Sequence, residues 1–143
     1  MEGNYSVYRR RIYYYETDKM GIVHHSNYIR LFEEARLDMM NKIGINYKEL
    51  EEIGIIIPVI SVSCKYLIPL YYDDDVSVYS KVTKFNGVKM EVLYEIYKEG
   101  SESVCTKGQS GHCFLDKEMN PFRMNKLYPD LYKKLMTFLY DCE

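Results

Sequence analysis

Residues 13–36 read YYYETDKMGIVHHSNYIRLFEEAR. Asp18, Gly21, His24, His25, Ser26 and Asn27 gather where an extended pattern gives way to a helical one. A helix start presents unpaired N–H groups and the positive end of the helix dipole. A carbonyl oxygen that gains negative charge during acyl transfer is stabilised there. Asp18 is close enough in sequence to reach the same carbonyl carbon, either by direct attack or by deprotonating a water. The segment therefore holds the two needs of ester or thioester hydrolysis. Taken singly, each residue has a plainer reading. Asp is common in turns, Ser and Asn are common helix caps, and a lone histidine is usually surface or core. Adjacent histidines do not easily face one ligand, and His112 is distant in sequence, so a metal site is not expected.

The elements that must position these residues follow from periodicity. Residues 5–15 alternate as a first strand. From Asn27, the residues Tyr28, Leu31, Phe32, Ala35, Met39 and Ile43 recur at helical spacing, which predicts a helix with one apolar face. Ser26 or Asn27 is its expected N-cap and Gly44 its stop. Residues 47–52 add a short helical turn. Strands are expected over 55–65, 76–85, 89–98 and 103–116, with Asn86-Gly87 as a hairpin turn. A last helix is expected over 128–140, with Pro129 near its start. One long helix followed by an antiparallel meander predicts an α+β fold, a curved sheet around one helix. Such a sheet leaves edge strands, which two copies joined edge to edge would cover.

The chain has 143 residues, which fits a single domain over 1–143. Its 19 basic and 21 acidic residues leave a formal charge of −2 and no basic block, so nucleic acid is not an expected partner. The cysteines Cys64, Cys105, Cys113 and Cys142 form no C-x-x-C pair. The opening residues MEGNYSVYRR carry no secretory pattern, and no stretch approaches the roughly 18 apolar residues of a membrane span. A cytoplasmic setting with free thiols is expected. The 16 tyrosines are spread along the whole chain and mark no single site.

The run Y-x-E-T-D-x-x-G-I-V-H-x-S-N-Y followed by F-E-E-A-R, which is Tyr13, Tyr15, Glu16, Thr17, Asp18, Gly21 to Val23, His25 to Tyr28 and Phe32 to Arg36, resembles the hotdog-fold acyl-CoA thioesterases. The nearer resemblance is to the 4-hydroxybenzoyl-CoA thioesterase family in its YbgC-like branch. The match continues more loosely through Lys65-Tyr66, Pro69, Asp74 or Asp75, Asn86-Gly87 and Phe114-Leu115-Asp116, so that it spans residues 8–123. It implies a hotdog fold, a homodimer or homotetramer, active sites at the dimer interface, and a substrate that is a thioester of coenzyme A or of acyl carrier protein. No cofactor is implied.

Carried over by position, Asp18 matches the catalytic carboxylate, whose role is nucleophile or general base. The backbone N–H near His25 matches the oxyanion donor, and His25 matches a histidine that orients thioester or water. Tyr14 falls at an active-site tyrosine. The acyl pocket would be lined by Tyr14, Val23, His24 and Tyr28, with Ile57 or Val59 placed by strand parity. Lys65, Lys84, Lys89 and Lys107 are candidates for the coenzyme A phosphates. Glu16-Thr17-Asp18 departs from the usual D-T-D, and His24 stands where a tyrosine is frequent, which changes the acyl contacts. Two rival readings stay open at this point: a hotdog hydratase or dehydratase using Glu33 or Glu34, and a non-catalytic acyl-binding module.

Overall fold

The computed structural model describes residues 4–140, so Cys142 lies outside the described residues. The elements are β1 (Ser6–Arg11), a 3-10 turn (Tyr14–Glu16), α1 (Asn27–Lys42), α2 (Tyr47–Ile53), β2 (Val59–Tyr66), β3 (Asp75–Phe85), β4 (Lys89–Lys98), β5 (Val104–Cys113), α3 (Met124–Leu127) and α4 (Pro129–Phe138). The strands form one antiparallel sheet in the order β1-β3-β4-β5-β2. β3, β4 and β5 are the expected meander. β1 and β2 close its two sides, so both strands nearest the helix in sequence become sheet edges.

The helix α1 lies against the inner face of this sheet. Tyr28, Leu31, Phe32, Ala35, Arg36, Met39 and Met40 are its buried residues. The inner sides of β3 and β4 meet them with Val76, Val78 and Val82, and with Met90, Val92, Tyr94 and Ile96. Phe32 stacks on Tyr94, with ring centroids 4.5 Å apart and planes 10° apart. Gly108 of β5 lies under the Phe32 ring, where any side chain would overlap the aromatic carbons.

Two strand boundaries lie four residues from the sequence expectation. The first strand ends at Arg11 instead of residue 15. The Glu16 carboxylate accepts the Tyr13 N–H at 2.8 Å and draws the backbone into a 3-10 turn. The second strand starts at Val59 instead of residue 55. Ile56 does pair with Leu115 through two 2.9 Å hydrogen bonds, but Pro58 has no N–H and interrupts the ladder. Ser26 occupies the cap position of α1, but its backbone is already helical and its side chain makes no capping bond. Its hydroxyl pairs instead with His24 Nδ1 at 2.8 Å. The hairpin forms as expected, with Gly87 at φ 88° and Asn86 Oδ1 accepting from Val88 N and Lys89 N at 2.9 and 2.8 Å.

Candidate active site

The polar segment folds as a closed loop between the 3-10 turn and α1. Thr17 and Val23 form an antiparallel bridge, and Ile22 forms another with Tyr71. Asp18 N–H donates to Ile22 O at 2.8 Å, and Gly21 N–H returns to Asp18 O at 3.0 Å. Gly21 takes φ 83°, a conformation that favours glycine. Asp18 Oδ1 accepts from Met20 N at 2.8 Å, a local turn that orients the carboxylate. Oδ2 has no partner among the described residues.

Asp18 and His25 line one cleft of about 320 Å³. Its other walls are Met20, Ile22, Val23 and Tyr28, and the segment Tyr66, Leu67, Ile68 and Pro69 that follows β2. Most of that lining is apolar, with few polar groups converging on it, which is the pattern of a small-molecule site. The His25 N–H has no acceptor among the described residues, and no side chain caps the first turn of α1. Tyr28 is buried beneath the cleft, and burial pushes its phenol up to about 12, so it stays protonated.

The structure places the expected residues unevenly. Asp18, Val23, His25 and Tyr28 meet in the cleft. His24 does not line it, but its ring stacks on His25 with centroids 4.2 Å apart, so the two imidazoles lie side by side instead of diverging. Tyr14 is 76% exposed, outside the cleft, and meets Tyr72 edge-on at 5.4 Å. Ile57 packs against the core and Val59 lies on the free sheet edge, so neither reaches the cleft. Among the lysines, Lys65 and Lys107 face each other across β2 and β5. Lys84 and Lys89 sit at the β3–β4 hairpin, with Lys84 Nζ 3.9 Å from Glu91.

Tyr66 is the site residue that periodicity missed. Its hydroxyl donates to His25 O at 3.3 Å, and its ring meets Tyr28 edge-on at 4.9 Å. Partial desolvation, with the Cys64 thiol beside it, raises the phenol above its ordinary value. Alternation predicts the strand that carries Tyr66, but only the β2–β5 pairing brings that strand's end to the start of α1.

Comparison with known proteins agrees with this geometry. The Thioesterase-like superfamily profile matches residues 14–135. The chain is 35% identical over 118 residues to YneP, a candidate acyl-CoA thioesterase of Bacillus subtilis (strain 168), covering 82% of this chain and 85% of that protein. It is 36% identical over 109 residues to a candidate esterase of Aquifex aeolicus (strain VF5), covering 76% and 84%. The crystal structure of DHNA-CoA thioesterase from Staphylococcus aureus superposes with a TM-score of 0.87 at 32% identity, covering 92% of this chain and 89% of that one. A helix wrapped by a five-stranded antiparallel sheet is the hotdog fold, and the chain belongs to the Thioesterase-like superfamily.

Proposed function

We propose that the protein hydrolyses acyl-CoA thioesters to the free acid and coenzyme A, with Asp18 as nucleophile or general base. The observation that carries this reading is the juxtaposition of an unpaired Asp18 carboxylate oxygen and an unpaired His25 N–H on one apolar cleft. The thioester carbonyl lies between them. Its oxygen accepts from His25 N–H, where the start of α1 stabilises developing negative charge. Asp18 attacks the carbonyl carbon or takes a proton from the water that does. The carbon–sulfur bond breaks and the thiolate leaves, a better leaving group than an alkoxide. With Asp18 as nucleophile, water then cleaves the acyl–Asp18 anhydride to the free acid; with Asp18 as base, its proton passes to the thiolate. The His25 side chain flanks the reacting atoms and Tyr28 forms the floor. His24 supports His25 through ring stacking. Tyr14 serves the substrate outside the cleft, against Tyr72.

The active unit in this reading is a homodimer joined along β2. That strand is exposed along most of its length, with Val62 at 42% and Tyr66 at 50% exposure on one face. An unpaired apolar edge of this kind calls for a partner strand. Tyr66 lies on the edge and in the cleft, so the cleft would open at the interface. No helix among the described residues is long and apolar enough to cross a membrane. The setting in this reading is the reducing cytoplasm, with Cys64, Cys105 and Cys113 free.

The test is thiol release from short aliphatic, long aliphatic and aromatic acyl-CoAs, wild type beside Asp18→Asn. Turnover by wild type and its loss in a folded Asp18→Asn is the expected result. No release from any substrate, or equal release by both proteins, overturns the reading.

A further inference from the structure

Glu16 does not line the cleft, yet its bonded partners His24 and Asn27 stand beside His25 and Tyr28, which do. It is 2% exposed and lies two residues before Asp18. Its backbone carbonyl accepts from His24 N–H and from Asn27 Nδ2, each at 2.8 Å. These two donors flank the His25 N–H in sequence. Its carboxylate accepts from Tyr13 N–H at 2.8 Å and from Arg10 Nη2. The Arg10 side chain is largely covered too, at 7% exposure. Its guanidinium sits 4.5 Å over the Tyr13 ring, and its Nε lies 3.6 Å from Glu34 Oε2 on α1. A clasp thus runs from β1 through Glu16 to both ends of the catalytic loop, and through Arg10 to the second turn of α1.

A buried ion pair is a poor source of net stability, because desolvation offsets the attraction. It does hold its partners in one geometry. Catalytic groups need placement to about half an ångström, and a misplacement of about 1 Å can lower rate roughly 100-fold. We propose that Glu16 is a positioning residue that sets the separation between the Asp18 carboxylate and the His25 N–H. This rests on the thioesterase reading of the cleft. Glu16 touches no reacting atom. It acts through the Tyr13–Asp18 turn on one side and through His24 and Asn27 on the other.

The experiment compares wild type with Glu16→Gln and Asn27→Ala on the best acyl-CoA of the panel. Glu16→Gln keeps an acceptor for Tyr13 N–H and removes the charge that holds Arg10. Asn27→Ala keeps the ion pair and opens the other side of the clasp. The expected result in each is a fall in kcat of about 10- to 100-fold with KM and product inhibition by coenzyme A within about twofold of wild type. Arg10→Lys should retain more kcat than Arg10→Met, since it keeps a cation for Glu16. Wild-type kcat in a folded Glu16→Gln, or a raised KM with kcat unchanged, overturns the inference. Should Glu16→Gln fail to fold, Asn27→Ala decides, and wild-type kcat there overturns it. A wild-type chain that releases no thiol from any acyl-CoA removes the thioesterase reading, and this inference with it.

Discussion

Single residues separate chemistry from packing at this site. Asp18 and Glu16 are two residues apart and both acidic, yet one leaves an oxygen free in the cleft and the other is buried and bonded throughout. Their variants should fail differently. Asp18→Asn should unfold at the wild-type denaturant midpoint while losing turnover, because its side chain bonds only Met20 N. Gly108→Ala should do the reverse. A methyl there overlaps the Phe32 ring, and overpacking of this kind costs about 1–3 kcal/mol. A urea titration should show a lower midpoint with an unchanged slope, the mark of altered stability alone. An unchanged midpoint would show that β5 and α1 separate to admit the methyl.

At the scale of elements, the two N-terminal caps make a contrast. Asn46 caps α2, its Oδ1 accepting from Lys48 N and Glu49 N at 2.9 and 3.3 Å. Ser26 stands at the cap of α1 and makes no such bond. Asn46→Ala should therefore cost about 1 kcal/mol, and Ser26→Ala about 0.5 kcal/mol or less. Equilibrium unfolding of the pair checks this. A larger loss for Ser26→Ala would mean that its bond to His24 Nδ1 holds the loop. The N–H groups of Ser26, Asn27 and Tyr28 already donate to His24 Nδ1, His24 O and His25 O, which leaves the His25 N–H open for the carbonyl oxygen in the proposed mechanism. The β3–β4 hairpin and the helix period were legible in the sequence because both are local. The early end of β1 was not, because it turns on the Glu16 carboxylate's bonds to Tyr13 N–H and Arg10, which strand alternation does not record.

At the scale of the whole molecule, two properties follow from what the sheet buries and what it leaves open. Arg36 Nη1 donates to Tyr94 OH at 3.1 Å, Tyr94 and Ser110 pair at 2.6 Å, and Ser110 Oγ meets His112 Nε2 at 2.7 Å. His112 is fully buried, and burial, with the Arg36 charge added, pushes its imidazole down to about 4. The folded state thus stays unprotonated while the unfolded state takes up a proton below its usual value of about 6.5. His112 therefore destabilises the fold progressively as pH falls from about 6.5 to about 4, by about 3 kcal/mol in all. Urea titrations at pH 7 and pH 5 should show the loss, and His112→Gln should flatten it. An equal loss in the variant would assign the pH dependence elsewhere. The open side is β2. If the proposed dimer forms along β2, Val62→Arg should sediment as a monomer where wild type sediments as a dimer, and its thioesterase activity should fall with it. A monomeric wild type of full activity would overturn the interface reading.

The sequence by itself determined the period of α1, the order of helix and strands, the hairpin, and the acid, glycine and histidine of the loop. These depend on neighbours within a few residues, and side-chain period and turn chemistry express them directly. Through the family resemblance it also named Tyr14, Asp18, Val23, His24, His25 and Tyr28 as one set, of which Asp18, Val23, His25 and Tyr28 line one cleft. Only the tertiary structure decided that Tyr66 completes the cleft, that Tyr14 lies outside it, and that Glu16 is buried. Those outcomes depend on which strands pair at the two edges of the sheet and on the ion pair between Arg10 and Glu16. Strand pairing joins residues tens of positions apart, and no local pattern in a chain records which partner each edge will find.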